Sequence, residues 1–294
     1  MTGSVVVGYT ATDAGADAAA LGARIARSLG ATLHLVIVLP REGTRNAAVP
    51  PERAYEDHIR GQAKKWLEDA IVRLPQELTR TGHVRFAESF AEGLIAAGEE
   101  FGARLIVVGA AGGGIFGRHR LGSVASELLH SSTIPVALAP AGTAQQDDHV
   151  IPRVTAAVGK RPGADALLDE AVAVAADSGT DLRLVSLVPF DMPPGLDTGA
   201  IRLVGDAHAR DVLAVATELL PDGRTVQVEE APGESVEDAV ANLSWLPGEV
   251  VLVGSSRLAQ PRRLFLGSTA AKMLRELPVP MIVVPRTRAE AGVR

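Results

Sequence analysis

The chain has 294 residues, 47% of them hydrophobic and 22% charged, with a net charge of −6 and a pI near 5.7. That length allows two ordinary domains, and the acidic balance without a basic run excludes a surface that tracks a nucleic-acid backbone. The absence of cysteine excludes disulfides and thiolate metal sites and fits a cytoplasmic protein.

Aromatic residues make up 3% of the chain, so the core must be built from Val, Leu, Ile and Ala. The N-terminal string MTGSVVVGYTATD has no basic n-region and no long apolar h-region, so it does not read as a signal peptide. The most apolar segment, Leu105 to Gly117, is too short and glycine-rich to span a bilayer, so no membrane association is expected.

The first expected strand is Ser4 to Gly8, SVVVG, followed by an Ala-rich helix from Ala14 to Leu29 that Gly30 ends as a C′ residue. A second strand, Leu33 to Leu39, is closed by Pro40. A long amphipathic helix is expected over Arg53 to Leu74, either ending there or running on past Pro75 with a kink. A strand near His83 to Glu88, a helix near Glu92 to Phe101 and a strand from Arg104 to Gly109 follow. Next comes GAAGGGIFGRHRLGS, Gly109 to Ser123, and the helical SVASELLHSS. A strand-like IPVALAP, Ile134 to Pro140, has prolines that suit a sheet edge.

Residues 141 to 152, AGTAQQDDHVIP, read as a linker, and beyond them the pattern repeats. Gly30 to Pro40, GATLHLVIVLP, matches Gly179 to Pro189, GTDLRLVSLVP. Val107-Val108-Gly109 answers to Leu252-Val253-Gly254, and the Pro135 to Pro140 strand answers to Pro280 to Pro285. The chain therefore reads as one domain duplicated: residues 1–141, a linker 142–152, residues 153–287 and a tail 288–294. Each copy alternates about five strands with about four helices. The expected fold class is α/β, with two tandem doubly wound parallel five-stranded sheets carrying helices on both faces. If the strand order is 3-2-1-4-5, the ligand crevice lies between the first and fourth strands.

The loop from Gly109 to Ser123 joins a buried strand to a helix start, a geometry that suits an anion. No GxxxxGK[ST] string occurs, so a Walker-type NTPase is excluded. Gly112, Gly114 and Gly117 spell GxGxxG, but in mid-loop of the fourth unit with no helix opening on them. The spacing Gly109-x2-Gly112-x9-Gly122-Ser123 resembles the ATP-binding loop of universal stress proteins, and with the duplication the whole chain is similar to a tandem member of that family. The resemblance implies a Rossmann-like fold of the adenine nucleotide alpha hydrolase kind. It also implies that Gly109 and Gly112 let the backbone approach ribose and phosphates while Gly122 and Ser123 supply donors.

The bound cofactor would be ATP, ADP or AMP, with Mg carried only by the nucleotide. Arg118, with His119 and Arg120, would either assist a triphosphate or stand solvated in the loop. Thr10 takes the place of the Asp that family members usually carry after the first strand. Asp13 or Asp17 would either compensate or serve the helix N-terminus. Val38 would either meet adenine or be a core valine.

The second copy is degenerate: Gly254, Arg257 where the second glycine belongs, then Gly267-Ser268. Its site is expected to be weak, altered or empty. No catalytic constellation is evident, leaving at most weak ATP hydrolysis, and the scattered histidines show no metal-ligand spacing, so no metal is expected. Trp66 and Trp245 read as core or packing anchors in helical segments. The terminal edge strands are expected to pair the two copies, with room for a further homodimer. The alternative function is a stress-related interaction or scaffold protein that binds no nucleotide and acts through edge-strand dimerisation.

Overall fold

The structure, a computed structural model, describes residues 3–41, 53–110, 121–146, 150–158, 164–189, 214, 226–256 and 264–285. The first half runs β1 (Ser4–Gly8), α1 (Asp13–Leu29), β2 (Thr32–Pro40), α2 (Arg53–Arg73), β3 (Arg80–Ala87), α3 (Phe90–Glu100), β4 (Ala103–Gly109), α4 (Ser123–Ser131) and β5 (Val136–Ala139). After a 3-10 turn, Thr143–Gln145, the second half runs β6 (Arg153–Val158), α5 (Ala164–Ser178), β7 (Asp181–Pro189), β8 (Val226–Gly233), α6 (Val236–Ala241), β9 (Val250–Gly254), α7 (Ser268–Glu276) and β10 (Met281–Val284). No described helix is long and apolar enough to cross a membrane.

The α/β class and the strand order agree with the sequence reading. Within each half the strands pair in parallel, in the orders β3-β2-β1-β4-β5 and β8-β7-β6-β9-β10. Between the halves β5 and β10 pair antiparallel, with Leu138 opposite Met281 and Val136 opposite Val283. The architecture is therefore one mixed ten-stranded sheet rather than two separate ones.

Such a sheet must be apolar on both faces. Val5, Val7, Leu33 and Leu35 pack with Leu21 and Ile25 of α1 and Leu67 of α2 on one side. Val6, Val36, Val38 and Ile106 pack with Leu94 of α3 and Leu128 of α4 on the other.

Local chemistry sets the element ends. Thr12 caps α1 by accepting from the Gly15 N–H at 3.3 Å, and Gly30 ends it at φ 59°. α2 stops at Arg73, in line with the expected Arg53–Leu74 helix and without the kinked extension; Pro75 supplies no N–H for another turn. Trp66 on α2 is 41% exposed and is not a core anchor. Trp245 follows α6 rather than lying within a helix, and its indole N–H donates to the Val240 carbonyl at 3.1 Å.

The segment read as a plain linker is tied down. Buried Asp17 of α1 accepts from the backbone N–H of Gly142 at 3.1 Å and of Ala144 at 2.8 Å. Asp17 thereby holds the 3-10 turn, and Thr12 rather than Asp17 caps α1.

Candidate functional site

In the first half the strand order reverses between β1 and β4, and their carboxyl ends open a crevice there. Within it lies a cavity of ≈ 180 Å³. Val36 and Val38 of β2, Val108 of β4 and Leu94 of α3 give it an apolar lining, with half-exposed Phe90 among them. Thr10, Gly109, Gly122 and Ser123 supply the polar backbone and hydroxyl groups. Small-molecule sites commonly measure about 300–1,000 Å³; residues 111–120, which the sequence reads as the rest of the loop, lie outside the described residues.

The start of α4 sets the electrostatics. Its N-cap is Gly122, which offers no side-chain cap, whereas Thr12, Ser89 and Ser235 cap α1, α3 and α6 with their hydroxyls. A helix start without a side-chain acceptor keeps its first-turn N–H groups for an anion and presents the positive end of the helix dipole. Those groups, on Ser123, Val124 and Ala125, belong to residues that line the cavity.

Several of the residues read from the sequence come together here: Thr10, Val38, Gly109, Gly122 and Ser123 all line the cavity. Thr10 stands exposed, its hydroxyl 2.9 Å from that of Thr12, so the α1 cap holds it. Asp13 is exposed in the first turn of α1 and does not line the cavity; its carboxylate complements the helix dipole. Gly109 serves packing as well as any ligand, because a Cβ there would lie 2.0 Å from the Ala14 carbonyl oxygen. Gly112 and Arg118, with His119 and Arg120, lie outside the described residues.

Sequence reasoning missed Tyr9, Phe90 and Leu94. Tyr9 also lines the cavity, and its N–H donates to the Val36 carbonyl at 2.9 Å. Burial pushes its phenol pKa up, with Asp69 adding to the rise and Arg73 opposing it, so the group is neutral at physiological pH. The signal was present: Tyr9 directly follows β1, and Phe90 follows the Ser89 cap where α3 begins.

The second half repeats the frame with different filling. Gly254 ends β9, Gly267 is the uncapped N-cap of α7 and Ser268 its first residue. Arg257 lies outside the described residues. Ser256 N donates to the Phe265 carbonyl, and Phe265 N to Ser255 Oγ, both at 2.8 Å. Leu264 and Leu266 are buried in the same apolar cluster as Val236, Val240 and Val253.

The model of the universal stress protein family matches this chain twice, over residues 1–140 and 151–285. Universal stress proteins of Mycobacterium tuberculosis and Mycobacterium bovis are each 26% identical over 291 residues, covering 96% of this chain and 99% of their own length. Among solved structures, a universal stress protein from Archaeoglobus fulgidus aligns at TM-score 0.62 and 20% identity, covering 96% of this chain and 98% of its own. A putative universal stress protein from Pseudomonas aeruginosa aligns at TM-score 0.56 and 17% identity, covering 96% and 92%. At those identities the structural likeness speaks for the fold.

Proposed function

This chain belongs to the universal stress protein family in both its halves, and from that premise we propose that it binds ATP or a related adenine nucleotide, mainly through the glycine-rich loop of its first half. Family membership supports a stress-response role.

The observation that carries the proposal is one cavity lined by Thr10, Val36, Val38, Gly109, Gly122 and Ser123, opening where α4 lacks a side-chain cap. In this reading the valines of β2 flank the base with the Thr10 hydroxyl at its edge, Gly109 lets the backbone approach ribose and phosphates, and the amides at the start of α4 take phosphate. Any Mg ion arrives on the nucleotide. No general base is assigned, so binding rather than turnover is the proposed activity.

One observation favours the alternative of an interaction protein without nucleotide: the Thr10 hydroxyl is already engaged by Thr12. Edge-strand dimerisation, however, has less to work with. β5 and β10 satisfy each other inside the chain, leaving β3 and β8 as the outer strands.

Calorimetric titration of ATP into the wild type and Gly122→Val tests the proposal. Gly122 has φ −74° and ψ 167°, so its backbone accepts valine, whose side chain would stand in the cavity lining. The wild type should bind one ATP per chain, and the variant should keep its melting temperature while losing affinity about tenfold or more, roughly 1.4 kcal/mol. A wild type that does not bind, or equal affinities, would sink the assignment.

A further inference from the structure

On the sheet face covered by α3, strand pairing sets His34 opposite Thr81 and Val36 opposite His83. His34 Nδ1 lies 2.8 Å from Thr81 Oγ1 and 3.2 Å from His83 Nε2, and Thr81 Oγ1 is 2.9 Å from His83 Nε2. Three polar atoms thus form a closed triangle. Hydrogen bonding bridges at most two of its three sides. An imidazole nitrogen has one in-plane direction, occupied by a proton or a lone pair. For two neutral rings to attract, one nitrogen carries a proton and the other does not. With the hydroxyl proton that leaves two protons for three contacts.

A cation bound by both lone pairs and the hydroxyl oxygen satisfies all three corners. The separations suit one: with metal–nitrogen bonds of about 2.0–2.1 Å, neighbouring ligand atoms stand about 3 Å apart. The rings are also held in place. Phe101 stacks on His34 with centroids 4.2 Å apart and planes 10° apart, and sits 4.5 Å from the His83 ring. Arg85, 5.5 Å over the same phenyl ring, is paired with Glu100 at 2.8 Å. Burial lowers both histidine pKa values, with Arg85 lowering that of His83 further and Glu100 opposing the shift at both rings. Thr81 is exposed, so its corner is open to an entering ion and its waters.

The second half shows that the fold does not require imidazoles there. Arg183 stands opposite Gln227, and Val185 opposite Glu229, the same registers as His34 with Thr81 and Val36 with His83. Arg183 lies 4.8 Å over the Trp245 ring, as His34 stacks on Phe101. That slot is closed by permanent charges, Arg183 pairing with Glu249 at 2.8 Å and with Glu229 at 3.0 Å.

We propose that His34, His83 and Thr81 form a binding site for an imidazole-preferring divalent ion, of the Zn²⁺, Ni²⁺ or Cu²⁺ class, distinct from the nucleotide cavity and independent of it. Among the described residues no group of three or more His, Cys, Asp or Glu is placed to hold a metal. This is a two-imidazole site completed by a hydroxyl and water. Its sequence spacing of 49 residues hid it, since only the pairing of β2 with β3 brings the rings together.

The test is calorimetric titration of NiCl₂ into chelator-stripped protein without a purification tag. The wild type should take up one equivalent. His34→Gln and His83→Gln should each weaken binding about tenfold or more, since even outer-shell changes cost that much. His58→Gln, an exposed histidine on α2, should bind as the wild type does. Electron paramagnetic resonance of the wild type with one equivalent of Cu²⁺ reads the same site without a mutation and should show two coordinating nitrogens. A wild type that takes up no Ni²⁺, unchanged affinity in both His34→Gln and His83→Gln, or a copper spectrum without nitrogen coupling would overturn the proposal.

Discussion

Gly109→Ala is expected to destabilise the protein by about 3 kcal/mol, whereas Gly254→Ala, its counterpart in the second half, should cost less than about 1 kcal/mol. The two glycines occupy the same place, the last residue of β4 and of β9. Their surroundings differ. A Cβ on Gly109 would lie 2.0 Å from the Ala14 carbonyl oxygen and 3.0 Å from its Cα. Both are backbone atoms, and no side-chain rotation relieves the clash. α1 is itself held close by Gly15, whose added Cβ would meet the Thr10 carbonyl oxygen at 1.8 Å. At Gly254 the nearest atoms belong to the Leu167 side chain at 3.9 Å, an ordinary contact. Urea unfolding of the two variants measures the difference, and equal costs would contradict it. The first glycine of the loop pattern is therefore demanded by helix–strand packing in the first half, before any ligand is considered.

Glu249→Ala should be the other large loss, about 3–5 kcal/mol. Glu249 is 0% exposed and Arg183 1%. The carboxylate accepts from Arg183 at 2.8 Å, from Arg153 at 2.6 Å, from the Leu246 N–H at 2.9 Å and from the Thr155 hydroxyl. Arg183 also donates to Thr155 Oγ1 at 2.9 Å and to the Ser244 carbonyl at 3.0 Å. Removing the glutamate leaves a buried guanidinium with its main counter-charge gone, and that uncompensated charge dominates the cost. Glu249→Gln keeps the acceptor oxygen and should lose less. Denaturant unfolding of both variants is the measurement. A Glu249→Ala cost under about 1 kcal/mol would show that water reaches the network.

Much of the architecture was legible because it rests on short-range rules. Runs such as SVVVG and LHLVIVLP are apolar at every position that a sheet covered on both faces must bury. The repeat of that pattern about 150 residues later identified the second domain copy. Legibility failed where long-range contacts decide. Nothing local in the sequence tells that Asp17 reaches across to residues 142 and 144, or that Arg153, Arg183 and Glu249 meet. Whether Trp66 is core or surface packing was open in the sequence, and it stands half-exposed on α2. The glycines illustrate both sides. Their spacing was readable, but whether each serves a ligand or a neighbouring backbone depends on how closely α1 approaches β4.

Hydrogen exchange with and without saturating ATP tests the nucleotide reading most directly, because it reports where the ligand sits. The account predicts slowed exchange in peptides that carry the amides of residues 121–126 and of Thr10, with no change at the second-half counterpart, residues 265–271. Unchanged exchange at 121–126, or protection confined to the second half, would contradict it.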